Sequence, residues 1–272
     1  MRIAFIGDVH GCVLHALEAL VAWQRHRGLR LDAAIQVGDL GAYPTPERMD
    51  APSKRFAAEN PAQNDLFRLL APPPELEAAI RHALILIPPV VFVSGNHEDF
   101  DWLAGLHEQG RKSIDPCGAF RHVPCGRIET LAGQQIAFLG RIEAPGHMDL
   151  DDGAYATLMQ TPPGEVDILV THDGPYGLCR TFRGETAGSP KLSRLIAHLR
   201  PRLHVGGHYH HINGPRHYGP TTSYALAQLV SPKSKRVAAG SIGVLDTETF
   251  TFDYLLDDWL AEVRGDFDLS TP

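Results

Sequence analysis

"AFIGDVHGC", residues 4–12, begins as a strand and ends as something else. Ala4, Phe5 and Ile6 form an unbroken apolar run, as expected of a strand buried on both faces of a parallel sheet. Gly7 ends the run, and Asp8 and His10 follow with one residue between them. Residues 13–27 ("VLHALEALVAWQRHR") then carry apolar side chains at helical spacing, with Gly28 as a stop signal. "AAIQV" (33–37) is a second buried strand, closed by Gly38-Asp39. Strand, helix, strand is the signature of a parallel α/β unit.

Working outward, the region at about 42–89 is rich in proline ("YPTPERMDAPSKR", "APPPELE") and reads as a loop-like insertion enclosing a helix near 74–83. "VVFV" (90–93) is a third buried strand, followed by "SGNHED". Between 119 and 142, "AFRHVP", "RIETLA" and "QQIAFLGRI" read as antiparallel hairpins. "VDILV" (166–170) is another buried strand, a helix is expected over 190–199, and "LHVGGHYHH" (203–211) follows. The tail is β-rich, with "DTET" as a hairpin turn. No repeat or linker divides the chain, so one domain over 1–272 is expected.

Composition narrows the function classes. The 272 residues are 43% hydrophobic and 21% charged, ordinary for a soluble globular protein. The net charge of -7, from 25 Lys+Arg against 32 Asp+Glu, argues against broad, sequence-blind nucleic-acid binding, although a local basic groove stays open. The four cysteines form no CxxC pair, which argues against a zinc ribbon. Met1–Gly7 leads straight into a strand rather than a signal peptide, and no run approaches the roughly 20 apolar residues of a membrane span. A cytoplasmic protein with reduced thiols is the expectation.

Five strand ends carry one kind of payload: "GDVHG" (Asp8, His10), "GDLG" (Asp39), "GNHE" (Asn96, His97), "THDG" (His172) and "GGHYHH" (His208, His210). Loops leaving the carboxyl ends of parallel strands converge on one crevice. Two Asp, several His and an Asn gathered there suit divalent cations of hard-to-borderline character. Seven candidate ligands exceed one tetrahedral ion and suit two ions sharing a carboxylate. His15, His26, His82, His122, His147, His198, His204 and His217 are read as surface or structural histidines. His211 is a candidate substrate contact. Arg180 and Arg183, in the loop "GLCRTFRGETAGS", are candidate phosphate contacts, weighed against ordinary solvated arginines.

These motifs, in this order, resemble the calcineurin-like metallophosphoesterase superfamily. The resemblance spans residues 8–210 and implies a four-layer α/β/β/α sandwich, two mixed β-sheets packed face to face with helices outside. The hairpins after residue 119 and the β-rich tail would then build the second sheet. By motif, Asp8, His10 and His210 resemble the ligands of one metal, Asn96, His172 and His208 those of a second, and Asp39 the bridging carboxylate. His97 resembles the non-ligand histidine that assists the phosphate or protonates the leaving group. The implied activity is hydrolysis of phosphate mono- or diesters by a metal-bridged hydroxide, on a small phosphoester or nucleotide. Mn is the first expectation for the metals, with Fe, Zn or Ni as alternatives.

"GDVHG" and "GNHE" also occur in the phosphoprotein-phosphatase branch, which continues its second motif as GDxVDRG. Here it runs "GDLGAYP", without the acid that orients the catalytic histidine or the phosphate-binding arginine. "VSGNHED" with Trp102, and "DILVTHDGP", resemble segments of RNA lariat-debranching enzymes, which usually carry Cys where this chain has Asp8. Two other readings stand beside hydrolysis of a small ester: a non-catalytic scaffold of the same fold that binds a protein, and a nuclease or RNA-processing phosphodiesterase.

Overall fold

The computed structural model describes residues 1–146, 148–181 and 183–267, so the reading of His147 lies outside the described residues. In chain order the first part runs β1 (Arg2–Ile6), α1 (Val13–Arg27), β2 (Ala33–Gln36), α2 (Ala51–Glu59), α3 (Asp65–Leu70), α4 (Pro74–Leu86), β3 (Val90–Phe92), α5 (Phe100–Glu108) and β4 (Phe120–His122). The second part runs β5 (Ile128–Leu131), β6 (Gln134–Leu139), α6 (Asp152–Met159), β7 (Ile168–Thr171), β8 (Cys179–Arg180), β9 (Thr186–Ala187), α7 (Pro190–Leu199), β10 (Leu203–Gly206), β11 (Asn213–Tyr218), β12 (Thr221–Ala225), β13 (Ile242–Asp246) and β14 (Thr251–Tyr254).

Two six-stranded sheets result, ordered β14-β13-β1-β2-β3-β4 and β11-β12-β10-β7-β6-β5. The strands β1 to β4 are mutually parallel, as are β6, β7, β10 and β12. Side chains alternate across a strand, and β1 shows the consequence. Ile3 and Phe5 face the second sheet and join a core with Val91, Phe138, Val170 and Val205. Ala4 and Ile6 face outward, onto Leu17 and Leu20 of α1. The second sheet turns Ala137, Leu139 and Leu169 onto Leu192, Leu195 and Ile196 of α7. Burying a side chain such as Phe5 contributes about 1.5–3 kcal/mol. Both faces of both sheets are thus covered, and the four-layer sandwich is the observed architecture.

Three expectations are corrected. "AFRHVP" is no hairpin in the second sheet: β4 pairs in parallel with β3 at the edge of the first. The tail divides. β11 and β12 complete the second sheet, but β13 returns to pair with β1, Arg2 opposite Asp246, and carries β14 with it through the "DTET" hairpin. The proline-rich insertion is also mostly helical. Two of its prolines occupy helix first turns, where the missing N–H costs nothing: Pro52 in α2 and Pro74 in α4. α2 is capped by Asp50, whose Oδ1 accepts from Ser53 N at 2.7 Å. The four cysteines are all unpaired, and among the described residues no helix is long and apolar enough to cross a membrane.

Candidate metal centre

The loops after β1, β2, β3, β7 and β10 meet at one edge of the sandwich. Asp8, His10, Asp39 and His210 bring one potential ligand atom each to within 4.8 Å of one another. Asp39, His172 and His208 do the same, so Asp39 belongs to both groups. Asn96 joins the second group, its Oδ1 lying 3.1 Å from His172 Nε2. His210 Nε2 sits 3.0 Å from Asp8 Oδ2 and 3.1 Å from His10 Nε2. His172 Nε2 sits 3.3 Å from Asp39 Oδ2.

Asp8, Asp39 and His172 are at most 1% exposed, so the charges here lack the screening of water. Burial by itself raises the carboxyl pKa values, but His210 and His172 beside Asp8 outweigh it, and His172 holds Asp39 well below the usual carboxylate range. In return, although burial alone lowers the His172 pKa, Asp39 holds it up at about 10. His10, where burial dominates, is pushed down to about 4, so it is a neutral lone-pair donor. Two ionised carboxylates and several imidazole nitrogens aimed at the same two points fit divalent cations, which would supply the counter-charge.

The backbone is built around these donors. A Cβ on Gly95 would lie 2.1 Å from Asp39 Oδ1, and one on Gly207 2.2 Å from Asp8 Oδ1. Only a bare backbone lets each carboxylate into its cradle. Four donors sit in the left-handed region that L-residues avoid: His10 (φ 45°), Asp39 (φ 57°), His208 (φ 67°) and His210 (φ 61°). Each costs on the order of 1 kcal/mol or more. No sequence signal announced them beyond the tolerance of Asp and His for that region.

His97 is in neither donor group. Its Nδ1 pairs with Asp50 Oδ2 at 2.5 Å, leaving Nε2 as the other ring nitrogen. Burial lowers its pKa, but Asp50 and then Asp39 outweigh this and hold it at about 9. Asp50 was not singled out from sequence. It is the helix-capping acid of the insertion, and its second carboxylate oxygen lies against the His97 ring. The signal was present: an Asp before a proline in a helix's first turn. Glu98 was missed as well. Its carboxylate accepts from Gly95 N at 2.6 Å and Gly41 N at 3.3 Å, tying two ligand loops together, and burial followed by the Asp39 charge raises its pKa to about 8.

Two cavities open on His97. One, about 410 Å³, is bounded by His10, His97 and His210 and by Pro52, Ser53 and Phe56 of the insertion. The other, about 860 Å³, includes Asn96, Arg48 and Arg141. The remaining candidates are placed elsewhere. His211 is exposed beyond His210. Arg180 and Arg183 are exposed on the β8–β9 hairpin, where Arg180 donates to Gly184 O at 2.9 Å, and none of the three borders either cavity. His204 is structural, its Nε2 paired with Thr171 Oγ1 at 2.7 Å.

A family described as calcineurin-like phosphoesterase matches residues 1–211. The Caenorhabditis elegans UPF0046 protein K07C11.7 is 32% identical over 66 residues, 24% of this chain and 23% of that protein, so the chain matches about a quarter of that relative's length. Among solved structures, TT1561 of Thermus thermophilus aligns over 93% of this chain and 97% of its own at 15% identity, with a TM-score of 0.50. GAP50, described as the anchor in the inner membrane complex of Plasmodium, aligns over 97% and 86% at 12% identity, with a TM-score of 0.53. At these identities the structural likeness is one of fold.

Proposed function

The chain belongs to the calcineurin-like phosphoesterase family, and on that footing we propose that it hydrolyses phosphate mono- or diesters at a pair of divalent cations. Asp8, His10 and His210 would hold one ion and Asn96, His172 and His208 the other, with Asp39 placed to serve both. Two bound cations supply Lewis acidity toward phosphate oxygens and an activated water at neutral pH. The observation that carries the reading is Asp39's membership of both donor groups, with a non-ligand histidine beside them. The chain's own groups do the rest. Asp50 fixes the His97 ring through Nδ1, keeps it protonated and leaves Nε2 to give its proton to the departing alcohol. The insertion covers the site from one side through Pro52, Ser53 and Phe56, which favours its reading as part of the substrate entrance.

The imidazole-rich donor set favours transition metals over Mg or Ca, with Mn first. Reconstituted protein is expected to hold two ions per chain by elemental analysis, and saturation at one would contradict the bridge. Saturating metal should also raise the unfolding midpoint, since a ligand at 100 times its Kd adds about 2.7 kcal/mol per site. The activity itself is tested by a manganese-supplemented screen of phosphomonoesters and phosphodiesters, nucleotides included. Turnover above that of His97→Ala is expected. No turnover above that control at full metal occupancy would favour a binding scaffold instead.

A further inference from the structure

β10 buries one side chain that its surroundings do not call for. Leu203 and Val205 face the first sheet. His204, between them, points the other way. It stands in register with Leu169 of β7 and Ser223 of β12, in the layer where Leu169 meets α7. It is fully buried, at 0% exposure, and burial holds its pKa down at about 3, so the ring is neutral and carries one proton. An apolar residue would fill this place with no polar atom to satisfy. Among the described residues His204 Nδ1 has no partner, and neither has Ser223 Oγ on the neighbouring strand. An unpaired buried polar atom costs about 1–3 kcal/mol. The other ring nitrogen shows what offsets that cost.

The place of the ring proton follows from the partners. Asp173 O is a carbonyl and only accepts. Thr171 Oγ1, 2.5 Å away, therefore donates its hydrogen there. The lone pairs of that hydroxyl then accept from His204 at 2.7 Å, so the proton sits on Nε2 and Nδ1 is the bare lone pair. The bonds run one way, from His204 to Thr171 to Asp173 O, and they span the residue between, His172. Two further contacts hold His172 from above: its carbonyl accepts from Gly207 N at 2.9 Å, and its Nδ1 faces Val37 O at 3.2 Å. The His204 chain clasps the base of the turn.

We propose that His204 is a positioning residue for one metal ion only: through Thr171 it fixes the turn that delivers the His172 ring to Asp39 and Asn96. The proposal rests on the two-ion reading and adds to it a residue that touches neither ion. Ligand atoms must be held to within about 0.2 Å of their bonding distances, and residues that hold ligands in place are worth about 10–100-fold in affinity. Asp8, His10 and His210 lie on the loops after β1 and β10, so the donors of the other ion do not depend on this turn. The same geometry fixes the effect on stability. Replacing His204 by an apolar residue removes the unpaired Nδ1 along with the clasp, and the Thr171 hydrogen stays on Asp173 O. The metal-free fold loses no buried polar partner, while the metal site loses its support.

The test is manganese titration by calorimetry of the parent, His204→Leu and His204→Gln, with the unfolding midpoint of each measured free of metal. The two ions are told apart by the losses that His210→Ala and His208→Ala produce. His204→Leu is expected to weaken the ion held with His172 and His208 by about 10–100-fold and to leave the other as in the parent. Free of metal, it is expected to unfold no lower than the parent. Glutamine can bring an amide N–H to where Nε2–H stands, so His204→Gln is expected to recover most of the lost affinity. Thr171→Val cuts the chain at its middle and should give the same one-sided loss, which keeps the test open if the leucine variant fails to fold. Because the two residues act in series, His204→Leu should add nothing in that background. Equal weakening of both ions, or a glutamine variant no better than leucine, overturns the proposal and makes His204 a packing residue only. A parent that takes up two ions, with a leucine variant indistinguishable from it, overturns this inference alone. A parent that takes up only one overturns the two-ion reading, and this inference with it.

Discussion

Asp39→Asn is expected to weaken both metal sites together and to cost more turnover than any other single change at the centre. Asp39 Oδ1 accepts from Asn96 N at 2.7 Å and His97 N at 2.8 Å, and an asparagine oxygen can keep both bonds. Oδ2 is the problem. It faces His172 Nε2 at 3.3 Å and His10 Nε2 at 3.9 Å, one nitrogen from each donor group. An NH2 there is a donor without charge, and it can neither neutralise nor ligate a cation. The fold should survive, because the loop's backbone bonds are retained. The loss should exceed the roughly 10–100-fold that follows removal of a residue merely supporting a ligand. His210→Ala, by contrast, should weaken mainly the ion held with Asp8 and His10, and His208→Ala mainly the one held with His172. Metal titration by calorimetry distinguishes these patterns. Equal and independent losses in all three variants would remove Asp39 from the bridging position.

How much of this was legible beforehand depended on whether the information was local. The motif residues were legible because each follows a short apolar strand and a glycine, a pattern confined to a few positions. α1 was legible to the residue, since its periodicity starts after "GDVHGC" and ends at Gly28, whose left-handed backbone closes it. The sheet assignment of β13 was not. Its strand character is plain in "SIGVLD", but whether it joins β12 or β1 is decided by pairing with Arg2–Ile6 across the whole chain. Local propensity carries nothing about that choice. The insertion misled for a different reason. Its prolines look like loop residues until a preceding cap turns them into helix first turns, as Asp50 does for α2. Asp50 was therefore overlooked twice, as a helix start and as the partner of His97, and one side chain performs both tasks with its two oxygens.

That double duty makes His97 and Asp50 testable as a unit. His97→Gln is expected to keep both metals and the fold while losing about 10²–10⁴ in rate, the usual worth of a general acid. The loss should be greatest for alkyl esters, whose leaving alkoxide needs the proton, and smaller for nitrophenyl esters, whose leaving group is stable as an anion. Asp50→Asn should act through the ring rather than through the helix, because asparagine caps as well as aspartate. It removes the negative charge that, against burial, holds the His97 pKa up at about 9. The acid form is present below that pKa and is lost as pH rises through it. The variant should therefore lose activity at lower pH than the parent, with the shift read directly from the basic limb of the pH–rate profile. Groups that act in series are non-additive, so Asp50→Asn should cost little more once His97 is glutamine. An additive double variant would mean that Asp50 supports the site by another route. Loss of a metal ion in His97→Gln would make His97 a ligand, and the proton would have to come from elsewhere.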